Sequence, residues 1–88
     1  MTIESFQDSP PGGAMLTAYD LAHIKTYLRL LDARDDPGAT WQEAVHIIFG
    51  IDAQAEPDRA RLVHDSHLAR ACWMTETGYR QLAALKNR

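Results

Sequence analysis

The sequence predicts an all-α fold, a small helix-turn-helix-like bundle of three to four helices, and three observations carry that expectation. Apolar residues recur at spacings of three and four, hydroxyl caps and glycine or proline stops punctuate the segments, and nothing alternates with period two between hairpin turns. With 88 residues, 45% hydrophobic and 24% charged, the chain has the make-up of one globular domain with a single small core.

Residues 1–14 are expected to form a disordered tail, because Ser9-Pro10-Pro11-Gly12-Gly13 sustains neither helix nor strand and offers little to bury. Residues 15–88 make the domain. A first helix should start at Thr17, whose hydroxyl precedes Asp20 by three residues in a capping box. Leu21, Ile24, Leu28 and Leu31 then fall on one helical face, the expected core, with Tyr27 and Leu30 widening it. Asp35-Asp36-Pro37-Gly38 ends that helix.

The stretch "GATWQEAVHIIFG" reads as a short helix with Thr40 as cap, Glu43 completing a second capping box and Gly50 as the left-handed residue beyond the end. After a loop from Ile51 to Glu56, Pro57 suits the first turn of a third helix running to about Thr75. That helix carries two stripes. Ala60, Val63, His67, Ala71 and Met74 form the expected buried one; Leu62, Ala69 and Trp73 form another, to be covered by the last segment, Gly78 to Leu85, or by a partner.

Several function classes fall away. No apolar run reaches the roughly 18 residues of a membrane span, and Met1 to Gly13 has no signal-like basic and apolar regions, so the expected compartment is the cytoplasm, with no membrane partner. The lone Cys72 is read as packing. His64, His67 and Cys72 have a spacing that invites a metal, but their angular positions diverge, and His23 and His46 sit on separate helices; no metal and no cofactor are expected. There is no phosphate loop and no nucleophile elbow, and Asp35-Asp36 lies in a turn, so the chain is not expected to be an enzyme.

Helix-mediated recognition remains. Residues 1–56 hold nine carboxylates against three bases, and residues 57–88 six bases against three carboxylates, so a net charge of −3 hides a dipole. A basic C-terminal part permits contact with nucleic acid without demanding it. If the third helix reads DNA, the candidates are Thr40, Gln42, Arg59, Arg61, His64 and Arg70; if it grips a protein, they are Leu62, Asp65, Leu68, Trp73 and Met74. The loop before that helix is longer than the turn of the compact DNA-binding motif.

"YLRLLDARDDPGATWQEAVHIIFG" followed by "TGYRQLAAL" resembles the small proteobacterial domain of RovC-type transcription factors and of regulators of integrative and conjugative elements. The likeness spans about residues 19–85 and rests on Leu28, Leu31, Asp32, Arg34, Gly38, Phe49, Gly50, Gly78, Tyr79, Arg80 and Leu82 in order. Where DNA-binding members of that family carry a dense run of arginines, this chain has "RARLVHDSHLARACWM". A stand-alone chain with a depleted basic helix is similar to the family's quorum-sensing antiactivators. That resemblance implies a monomer that binds a LuxR-type activator and an activator carrying the same kind of domain, with DNA binding weak or absent.

Overall fold

The structure, a computed structural model, describes residues 5–86, with side chains described as far as Ala84. It is all-helical, in the order α1 (Ala18–Ala22), α2 (Ile24–Asp35), α3 (Trp41–Phe49), α4 (Pro57–Trp73), a π-helical turn (Met74–Gly78) and α5 (Tyr79–Lys86). As packed rods these are fewer. Helices α1 and α2 are one path interrupted at His23, and α4 runs through the π turn into α5. Helix α2 packs on both α3 and α4, and α3 packs on α4.

The caps follow from the residues. The Thr17 hydroxyl accepts from the Asp20 N–H at 3.1 Å while the Asp20 carboxylate accepts from the Thr17 N–H at 2.9 Å. Thr40 accepts from the Glu43 N–H at 3.2 Å, and Gly50 closes α3 with φ 72°, a left-handed conformation open to glycine at little cost. Both starts and the stop fall where the sequence places them, but the expected second capping box is only half made: the Glu43 carboxylate accepts from the Thr40 hydroxyl at 3.0 Å and not from the Thr40 N–H.

The buried face of the first rod does not fall where the sequence places it. Leu21 and Leu28 are exposed and Leu31 is half-buried, whereas Asp20, His23, Tyr27 and Leu30 are buried. The period is still helical, but the face is rotated. That face carries polar anchors in place of the two leucines: Asp20 is held by Arg70, and each ring nitrogen of His23 lies 2.8 Å from a main-chain carbonyl, to one of which a neutral ring donates.

Leu30, Val45, Ile48, Phe49, Ile51, Ala60 and Val63 form the main core. A second cluster of Tyr27, Ala71 and Met74 lies further along α4, with Leu16, Leu31 and Trp73 against it. The expected buried stripe of α4 is therefore the observed one. Of the other stripe, Leu62 and Ala69 stay exposed, so the last segment does not cover them.

Residues 1–4 of the expected tail lie outside the described residues. Residues 5–14 carry no helix, yet they are fastened to the bundle rather than free of it. Phe6 meets the Phe49 ring edge-on at 4.9 Å, and the carbonyls of Ser5, Asp8 and Gly13 accept from His23, Ser66 and Arg70. A segment without a ladder of its own is held here by side-chain donors from α4 and the helix junction.

Candidate functional site

Successive residues of a helix step by about 100°, which sorts α4 into three sides. Ala60, Val63, His67 and Ala71 face the core; Arg59, Ser66 and Arg70 flank the N-terminal segment; Asp58, Arg61, Leu62, Asp65 and Ala69 look outward. A groove-reading helix would present the outward side. Its one cation, Arg61, donates to Asp65 at 2.9 Å and lies 4.6 Å over the Trp41 ring. His64 Nδ1 lies 2.8 Å from the other oxygen of Asp65. That hydrogen bond first, and the Arg61 guanidinium second, hold the Asp65 carboxyl below its usual range.

The other two arginines of α4 are also taken. Arg59 donates to Asp8 at 3.1 Å and reaches Glu56 at 3.5 Å. Arg70 is buried: Nε and Nη2 hold Asp20 Oδ1 and Oδ2 at 3.0 and 2.7 Å, and Nη1 and Nη2 donate to the carbonyls of Gly13 and Met15 at 2.8 and 2.9 Å. Asp20 also accepts from the Tyr27 hydroxyl at 2.8 Å. Burial would raise the Asp20 carboxyl, but the bonds from Arg70, the Thr17 N–H and Tyr27 outweigh it and hold the group at about 2. The Tyr27 hydroxyl is pushed up by burial and by the same carboxylate.

This corrects two of the DNA candidates. Arg70 is a structural cation with no reach to a phosphate, because its fork is filled by Asp20 and two carbonyls. His64 is largely buried beside Trp41, with ring centroids 5.8 Å apart, and its Nδ1 is engaged by Asp65, so little of the ring is left to read a base. Thr40 is exposed but occupied as the cap of α3; Gln42, Arg59 and Arg61 are exposed, the arginines in ion pairs.

Among the protein-binding candidates, Leu62 and Asp65 are exposed and Leu68 is half-buried against the main core. Met74 is core, at 8% exposure, because α4 continues into the π turn and keeps it over Tyr27 and Ala71. Trp73 is half-buried: the Arg70 guanidinium stacks over its ring at 3.7 Å, and Gly78 lies so close that a Cβ there would meet ring carbons at 2.6 and 3.0 Å. Its surface is divided between cation, glycine and core. The five therefore do not make one patch.

One concavity was not legible in the sequence. A cleft of about 810 Å³ opens between the first half of α3, the loop after it and the start of α4. Trp41, Ala53 and Pro57 supply apolar lining, Glu43, Asp52 and Asp58 supply carboxylates, and Arg61 is the one guanidinium. A sequence clue existed in the acidic residues bracketing the loop, Asp52, Glu56 and Asp58, but charge summed over halves of the chain hid it. A smaller groove of about 400 Å³ lies between α2 and α3 beside exposed Ile47.

Two further groups with chemistry of their own, His67 and Cys72, are held by bonds within the fold. His67 donates from Nδ1 to the Val63 carbonyl at 2.7 Å, which leaves Nε2 to accept from the Tyr19 hydroxyl at 2.6 Å, and burial lowers its pKa. Cys72 is half-buried and accepts from Arg34 at 3.1 Å, a less enclosed place than a packing role suggested. Among the described residues, no three of His, Cys, Asp and Glu are grouped to hold a metal ion, and no helix is long and apolar enough to cross a membrane. Compared with known proteins, the chain matches no family model and no curated protein.

Proposed function

We propose that this protein is a cytoplasmic antiactivator, a stoichiometric inhibitor without catalysis that binds transcriptional activators of conjugative-element excition and transfer and holds them inactive. The activators are a LuxR-type quorum-sensing regulator and one carrying the same kind of small domain, as the resemblance to the antiactivator QseM implies. One observation supports protein binding over DNA binding: every arginine of α4 is already ion-paired within the molecule, while Asp58 and Asp65 stand on the outward side. Neutralised phosphates supply most of a duplex binder's affinity, and internal pairs must break before these cations can do that. Charge on the remaining surface would speed encounter with an activator, and apolar contact would hold it.

The second reading, a sequence-specific DNA-binding regulator, draws on Gln42 and Arg61, exposed on α3 and α4 beside the same cleft in helix-turn-helix order. A pair of measurements separates them. Mixed with operator DNA at low salt the protein should give no defined mobility shift, and a LuxR-type activator should co-purify with it. A tight, sequence-selective shift that Arg61→Ala abolishes would sink the antiactivator reading.

A further inference from the structure

We infer that the cleft between α3 and α4 is the docking groove for a basic amphipathic helix of the partner, an inference that rests on the protein-binding reading above. The lining residues fit that chemistry. Trp41, Ala53 and Pro57 offer an apolar surface, and the carboxylates of Glu43, Asp52 and Asp58 reach the cleft from α3, the loop and the first turn of α4. Among the described residues Asp58 pairs with no cation, and Asp52 and Glu43 accept only from a main-chain N–H and a hydroxyl. Arg61, the opposing guanidinium, is neutralised by Asp65. The cleft is thus anionic with an apolar lining.

Size and depth select the occupant. At about 810 Å³ the space is ample for apolar side chains projecting at helical spacing from one face of a helix. A small ligand would be oriented by enclosed polar groups, whereas Gln42, Glu43, His46, Asp52, Gln54 and Asp58 are all exposed. The fold offers no sheet edge among the described residues, so a peptide gains nothing from being extended. Duplex DNA meets three carboxylates there and is repelled. Lysines or arginines flanking an apolar helix face would meet those carboxylates, which makes binding salt-sensitive.

The test uses the full-length protein, isotope-labelled for NMR, with three probes: an amidated leucine-lysine peptide with leucines at helical spacing, the same peptide with glutamate for lysine, and a random DNA duplex. The lysine peptide should move the Trp41 indole and the amides of Gln42, Ala53, Gln54 and Asp58, weaken as salt is raised, and lose about tenfold in affinity in the Asp52→Asn, Asp58→Asn variant. Asparagine keeps the loop turn at position 52, and an unchanged melting temperature verifies the fold of that variant. Equal binding of the glutamate peptide, shifts away from the cleft, shifts produced by the duplex, or self-association through this face would overturn the assignment, as would no binding at all. If a LuxR-type activator co-purifies equally well with the parent and the double variant, the groove is wrong while the antiactivator reading stands. Failure of the activator to bind either, with the peptide still seated in the cleft, rejects that reading and keeps the groove.

Discussion

At Asp20 four hydrogen bonds converge on one fully buried carboxylate, two from Arg70 and one each from Thr17 and Tyr27. Replacing it by asparagine keeps the volume and removes the charge, leaving the Arg70 guanidinium buried without its counter-ion. Breaking a buried pair in this way costs roughly 3–5 kcal/mol. Urea denaturation of Asp20→Asn should show a loss of that size with little change in the slope, and a loss below about 1 kcal/mol would mean that water replaces the carboxylate. The sequence made Thr17 and Asp20 legible as a cap. It did not make Arg70 legible as their partner, because a charged residue on a helix reads as solvated until the element across from it is known.

Elements were most legible where their signals were local. Thr40 and Gly50 bound α3 in the structure as they do in the sequence, because a cap and a left-handed stop need only residues within a turn. The junction of α4 with α5 was not legible: a π turn replaces a helix end at Met74–Gly78, and the Trp73 ring lies against Gly78 within it. Gly78→Ala should therefore destabilise the protein. A Cβ at 2.6 Å from the Trp73 ring forces a shift of the ring and of the Arg70 guanidinium stacked on it, costing about 1–3 kcal/mol, which outweighs the ~1 kcal/mol that alanine gains over glycine in a helix. A lower melting temperature accompanied by a changed tryptophan emission is the expected outcome, and a raised melting temperature would contradict the packing described for Trp73.

For the whole molecule, acid stability should fall in two stages. His67 is buried with its pKa lowered, so the fold prefers the neutral ring; that contribution is complete above the unfolded value of about 6.5 and is lost as pH falls from there toward the folded value. Asp20 is held at about 2 against an ordinary 3.8, so its contribution is present above 3.8 and is lost as pH falls through about 2. Melting temperature measured against pH should show a decline beginning near neutrality and a second, deeper one in the carboxylate range. His67→Gln should flatten the first and keep the second; a profile flat from neutral to mildly acid pH in the parent chain would mean that His67 titrates freely. The candidate site was the least legible part at this scale. Its residues come from α3, a loop and α4, and only folding sets Trp41, Asp52 and Asp58 around one cleft.

The Asp20 and Arg70 pair, 50 residues apart in sequence, also constrains how such a chain can change over generations. Either residue lost alone strands a charge in the interior, whereas both exchanged together for apolar groups of matching volume leave no charge to satisfy. Positions 20 and 70 are therefore bound to be inherited as a couple, and in any set of descendants a substitution at one should be accompanied by a substitution at the other. Such paired change would trace the descent of this fold even in chains whose outward helix faces have been rewritten for different partners.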